Sequence, residues 1–327
     1  MDAEMGAASV EQSPPPPSGA APPPGYEVVG LDDDWQVVIS GGHAVLPEGM
    51  THLPDRAFQG RTSLFSVACP SSLVSIGVGA FEDCSSLGSI ALLAGLVSIG
   101  EEAFAGCSSL HNVYFLENFE FWESQLAAFP AGPPASLVSI GAGAFTNCSA
   151  LISIDLPAGL LSIDEETFNG CSSLEAVGLP AALVNLCRGA FDGCTSLASI
   201  HLPAGLISIG IFAFDGCSAL ASVTFPAGLT SIGSSAFYGC SALTRVTFPA
   251  GLVSIRSYAF CECTALTSIN LPAGLTSIGW GAFEGCSALT SITPLPDGVS
   301  IRDRAFFDCP LNDEAVAVVR AINCWAV

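Results

Sequence analysis

Apolar positions along this chain recur at a long fixed period. From Leu46 onward one unit repeats, most cleanly at Leu271-Pro-Ala-Gly-Leu-Thr-Ser-Ile-Gly-Trp-Gly-Ala-Phe-Glu-Gly-Cys-Ser-Ala-Leu-Thr-Ser-Ile292. Its phenylalanine falls at Phe58, Phe81, Phe104, Phe145, Phe168, Phe191, Phe214, Phe237, Phe260, Phe283 and Phe306, and every step is 23 residues except one of 41. Self-similarity of this kind marks a stack of identical coils. Within a unit, Leu266-x-x-Ile269-x-Leu271 puts alternate residues on the inner face of a short strand. Leu275 and Ile278 repeat the apolar spacing, Gly279 relaxes the backbone at a turn, and Ala282-Phe283 sets a small residue beside a large ring able to stack on the next coil. The apolar surface available inside 23 residues falls short of the entropy of ordering them. Coils must therefore lean on one another, and both ends need caps.

The flanks break the period. Residues 1–24 include Pro14-Pro15-Pro16-Pro17 and Pro22-Pro23-Pro24 among Ala, Ser and Gly, the composition of an extended, disordered tail. Residues 25–45 carry two β-branched runs, Tyr26-Glu27-Val28-Val29 and Trp35-Gln36-Val37-Val38-Ile39, which predict a hairpin over the first coil. The solenoid occupies 46–311, with an insertion at about 116–135. In 312–327, Asn312 followed by Asp313 and Glu314 predicts a short capping helix.

Charge narrows the partners. Thirty acidic against eight basic residues give a net charge of −22, which repels phosphate backbones and anionic lipid, so nucleic acid is excluded as a partner. No apolar run approaches the length of a membrane span. The opening Met1-Asp2-Ala3-Glu4 lacks the basic start of a secretory signal, from which a cytoplasmic chain is expected.

The pattern Leu-Pro-x-x-Leu-x-x-Ile-Gly-x-x-Ala-Phe-x-x-Cys-x-x-Leu-x-x-Ile resembles the BspA-like leucine-rich repeats over about residues 46 to 312. The resemblance implies a leucine-rich-repeat solenoid, mainly β with an α/β-type repeat: a right-handed coil of 11 repeats of 23 residues with a parallel sheet on one face. Family members are often cell-surface or secreted proteins used in adhesion and protein binding, which implies a surface role. The missing signal is a departure from that pattern.

Ten of the 14 cysteines stand three residues after the repeat Phe: Cys84, Cys107, Cys148, Cys171, Cys194, Cys217, Cys240, Cys263, Cys286 and Cys309. The expected reading is a ladder of buried thiols packing as small hydrophobes. Disulfides and thiolate–metal sites are the alternatives, although a linear ladder offers no tetrahedral site. Cys69, Cys187, Cys261 and Cys324 lie off the ladder. The four histidines sit in no catalytic motif and no phosphate loop is present, so neither an enzyme nor a cofactor is expected.

Positions where the repeats differ are the candidates for binding. On the strand, Glu175, Asp155, Tyr114, His111, His201 and Arg245 interrupt a Ser/Thr/Ala background. Around the Phe, the aromatics Phe212, Tyr238, Tyr258, Trp280 and Phe307 gather in the C-terminal coils, either as interface anchors or packed sideways on their neighbours. The 18-residue insertion carries Phe119, Phe121, Trp122 and Phe129, as a contact loop or as a loop folded on the solenoid side. The sequence thus predicts a non-catalytic protein–protein interaction scaffold with an unknown protein partner, monomeric or weakly self-associating. The alternative is a structural or adhesive self-associating protein.

Overall fold

The structure is a computed structural model that describes residues 26–31, 35–116, 136–292, 295–323 and 325–327. The proline-rich tail, Cys324 and nearly all of the insertion lie outside these residues.

Each coil passes through three stretches. The first is a strand of two to five residues, such as Ser199–His201 or Arg245–Thr247, whose middle residue is buried between two outward ones. Successive copies pair in parallel, one repeat per step, with Ile200 opposite Val223 and Val223 opposite Val246. The second stretch is a two-residue strand, Ser-Ile in most coils. It forms a ladder of its own, with Ser208 opposite Ser231 and Ile209 opposite Ile232. This second parallel ladder was not anticipated from the sequence, which predicted one sheet. Its strands are too short to show alternation, and they exist because neighbours in register supply the hydrogen bonds.

Both ladders are interrupted once, the first between Ala176–Gly178 and Ser199–His201, the second between Ser139–Ile140 and Ser162–Ile163. At the first break the strand ends in a glycine, which contributes no side chain to the pleated face.

The third stretch is a pair of tight turns around the Phe. Two positions in every coil, two residues before and two after the Phe, are left-handed, with φ between about 53 and 72°. Glycine fills many of them, and Glu102, Phe212, Ser235 and Tyr258 do not relieve the strain as glycine would. N–H groups here donate to the next coil, as Phe58 N to Ala80 O at 2.7 Å. In the second ladder they donate to the previous one, as Gly210 N to Leu186 O at 2.9 Å. Every coil is thereby bonded in both directions.

All eleven repeat phenylalanines are fully buried. Their rings form one column with centroids 5.1 to 5.5 Å apart and planes within 14°. Phe225 and Phe248, which replace a leucine, meet this column edge-on at 5.6 Å.

The ends differ from the coils. At the N-terminus β1 (Tyr26–Gly30), β2 (Gln36–Ser40) and β3 (His43–Val45) pair antiparallel, and β3 then becomes the first rung of the parallel ladder. The solenoid therefore begins at His43, three residues before Leu46. Glu27 of β1 pairs with Arg61, which holds the ladder-cysteine position in the first coil. At the C-terminus α1 (Asp313–Ile322) is capped by Asn312, whose Oδ1 accepts from Ala315 N at 2.9 Å. Val319 and Ala315 are its buried residues. The last coil's turn N–H groups are satisfied beyond the helix, where Arg304 N donates to Trp325 O at 2.7 Å and Phe306 N to Ala326 O at 2.6 Å. The final three residues stand in for the next coil.

Candidate interaction surface

The ladder cysteines form a buried column beside the phenylalanines. Each thiol donates to the carbonyl of the previous coil's Phe, as Cys194 Sγ to Phe168 O at 3.2 Å and Cys217 Sγ to Phe191 O at 3.1 Å. The same carbonyl accepts the N–H of its own coil's cysteine, Cys171 N to Phe168 O at 3.2 Å, so both lone pairs are used. Burial pushes the thiols of Cys84 and Cys171 up to about 12, so they stay protonated at neutral pH, the state of an inert buried cysteine. The cysteines of the described residues are free, and no group of three or more His, Cys, Asp or Glu among those residues is arranged to hold a metal.

On the first ladder, Tyr114, Asp155 and His201 occupy the third position of their strands, where His201 lies opposite Thr224 and Asp155 opposite Gly178. Arg245 occupies the first position, opposite Ser222 and Ser268. His111 and Glu175 precede their strands, in a different column from His201, and His111 Nδ1 lies 3.2 Å from Gly88 O. The six are thus spread over three columns and make no cluster. Phe119, Phe121, Trp122 and Phe129 lie outside the described residues.

The turn stretch is where side chains converge. Phe212 and Tyr258 sit at the left-handed position before the Phe, a conformation costing a non-glycine residue about 1 kcal/mol or more. Tyr258 packs edge-on against Trp280, with centroids 4.7 Å apart. The Arg304 guanidinium lies 4.2 Å from the Phe307 ring centre and 5.4 Å from that of Trp280, and it pairs with Glu284. Glu284 Oε2 and Arg304 Nε are the buried side-chain polar atoms without a hydrogen bond among the described residues. Arg188 makes a similar arrangement four coils before Trp280, over Phe212 at 5.7 Å and 3.7 Å from Glu166. Trp280, Tyr238 and Phe307 nonetheless stay 37, 39 and 36% exposed. Sideways packing and exposure thus coexist.

The sequence reading missed Arg304, Glu284 and Arg188. Their signal was present in their offsets from the repeat Phe, which place each charge beside an aromatic one coil away.

The same stretch is acidic in its N-terminal coils. Glu82, Asp83, Glu101, Glu102, Glu165 and Glu166 line a shallow groove of about 370 Å³. Between the two ends stand Asp192 and Asp215. Burial and the neighbouring Asp192 carboxylate raise the Asp215 carboxyl to about 6. Asp192 is raised too, by burial and then by Glu166.

The model of the BspA type leucine rich repeat region matches residues 42–129, 133–218 and 184–312, in six copies. The chain belongs to the BspA-type leucine-rich repeat family. Its solenoid is similar to a leucine-rich repeat protein from Bacteroides ovatus, at 25% identity and a TM-score of 0.53 over 87% of this chain and 91% of that one. It is also similar to a leucine rich cell surface protein from Faecalibacterium prausnitzii, at 24% identity and a TM-score of 0.51 over 89 and 93% of the two chains. No curated protein matches it in sequence. Among the described residues no helix of this family member is long and apolar enough to cross a membrane.

Proposed function

We propose that this BspA-type chain is a non-catalytic protein-interaction scaffold whose contact surface is the aromatic end of the turn stretch. The single observation behind this reading is that Trp280 and Phe307 keep exposed ring surface while Arg304, paired with Glu284, lies over both and half-buried Tyr258 packs edge-on against Trp280. Rigid, half-exposed aromatics beside an arginine are the usual anchors of an interface. The strained backbone at Tyr258 supports a role beyond packing, because glycine fills that position in four other coils. Carboxylates toward the N-terminal coils favour a partner with positive charge along its flank.

The test is affinity capture with the immobilised full chain from cells that express it. A triple variant, Tyr258→Ser, Trp280→Ser and Phe307→Ser, should lose partners that the wild type retains. A first-ladder variant, Tyr114→Ser with His201→Ser, should keep them. Identical partner sets for wild type and triple variant would reject the surface. Placement at a cell surface, which the family resemblance implies, is tested by protease shaving of intact cells.

A further inference from the structure

The second ladder carries a pattern that no binding role has absorbed. Two residues before the buried residue of the second ladder in nine successive coils stands an outward residue, and the row runs from Val74 to Thr276 through Val97, Val138, Leu161, Val184, Ile207, Thr230 and Val253. Leu161, Val138 and Ile207 are 61, 54 and 50% exposed. On either side of the break between Val138 and Leu161, backbone hydrogen bonds tie the row, Val138 N to Val97 O at 3.0 Å, Val184 N to Leu161 O at 2.9 Å and Ile207 N to Val184 O at 3.1 Å, so each part of the row is held in line.

Beside this row runs the serine column, Ser75 to Ser277 with Asn185 as its exception, and before it come the Pro-Ala-Gly corners. From Pro70 to Ser277 these three groups of positions contain no charged residue, in a chain of net charge −22. Charge returns only at the corners of the two end coils, with Glu48 and Asp297.

We propose that two copies of the chain pack second ladder against second ladder about a twofold axis near Val184. A chain this acidic repels its own copy wherever carboxylates face each other, and this uncharged strip is where that repulsion is least. A partner recognised by positive charge would find no carboxylate within these three groups of positions, and Asp164, whose Oδ1 accepts from Ser162 Oγ at 2.9 Å, stands at the strip's edge. Straight rows of mostly β-branched side chains about 4.8 Å apart suit sheet-on-sheet packing at about 10 Å. One self-complementary strip closes the assembly at two copies, as an isologous contact does. Nine rungs span about 38 Å, and a strip about 15 Å wide would bury on the order of 1,100 Å² over both copies. That lies at the low end of specific interfaces and corresponds to a reversible dimer. The contact is separate from the aromatic end of the turn stretch and stands whether or not that surface binds a partner.

Sedimentation equilibrium of the full chain from about 1 to about 500 μM tests it, a range that spans reversible affinities. The mass should rise from 33.3 kDa toward twice that value with concentration. Added salt should strengthen the dimer, because screening removes repulsion and the strip holds no ion pair to weaken. Leu161→Glu with Ile207→Glu should weaken it by at least about a hundredfold, since the twofold buries each carboxylate in both copies. Leu161→Thr with Ile207→Thr should weaken it less; threonine already stands in this row at Thr230 and Thr276, so this pair keeps the fold. Tyr258→Ser should leave it intact. A monomer throughout the range, or a dimer undiminished by both double variants, would overturn the proposal.

Discussion

Phe104 and Phe145 stack with ring centroids 5.3 Å apart and planes 3° apart, although 41 residues separate them instead of 23. Phe104 N donates to Ala144 O at 2.8 Å and Cys148 Sγ to Phe104 O at 3.1 Å, as at any ordinary step. The column therefore runs through the insertion without a fault. Deleting residues 117–134 restores the 23-residue step. Because loop length enters closure entropy only logarithmically, the melting temperature should stay within about 3 °C of wild type or rise. A drop of 10 °C or more, on the order of several kcal/mol, would show that the insertion supports the core.

Phe214 lies 5.4 Å from Phe191 and 5.1 Å from Phe237, one coil past the middle of the column. Phe214→Ala should cost about 4 kcal/mol. Coils touch only their neighbours, so this break should also split urea unfolding into two transitions. A single transition at an unchanged midpoint would contradict nearest-neighbour stacking.

Cys194→Ala removes both a packed sulfur and the donor to Phe168 O, and should cost about 1 to 2 kcal/mol in urea titration. Buried thiols also set an alkaline limit. In the unfolded chain they ionise near pH 8.5, whereas in the fold Cys84 and Cys171 stay protonated to about 12. Their contribution is fully present below the unfolded value and lost as pH rises from about 9 toward 12. Thermal melts over that range should show a falling midpoint, and a flat profile would count against burial of the ladder.

Asp215 is raised to about 6 by burial and by Asp192, so folding favours its protonated form. The sign follows: its stabilising contribution is present below about pH 4 and fades as pH climbs through 6. Asp215→Asn should therefore raise the melting temperature at pH 7 and remove part of the decline between pH 4 and 6. Equal melting temperatures at pH 7 would place the carboxyl in an ordinary environment.

Arg304 lies over Phe307 and Trp280 while paired with Glu284. Arg304→Lys keeps the charge but loses the planar stack, and should cost about 1 kcal/mol. A double-mutant cycle with Trp280→Leu measures the coupling, which should vanish if ring and guanidinium act separately.

Period and composition carried much of this fold. A 23-residue repeat with one Phe and one Cys per unit requires coils of equal length, and equal coils put identical residues in columns. The Asn312 cap was legible because a helix start is a local matter of one side chain and the next three N–H groups. The second ladder was not legible: a Ser-Ile pair has no strand signal until a copy in register lies beside it. Nor could the sequence assign the ladder thiols to the previous coil's carbonyl, 26 residues back, or make Trp325 and Ala326 the substitute for a further coil. Aromatic enrichment in the last coils was visible, yet the clamp of Arg304 and Glu284 on Trp280 and Phe307 depends on neighbours one repeat apart. The chain alone determined that like residues would stack. The fold decided which of them face water, because a periodic sequence specifies the column and only the turn of the backbone at each position points a side chain inward or out.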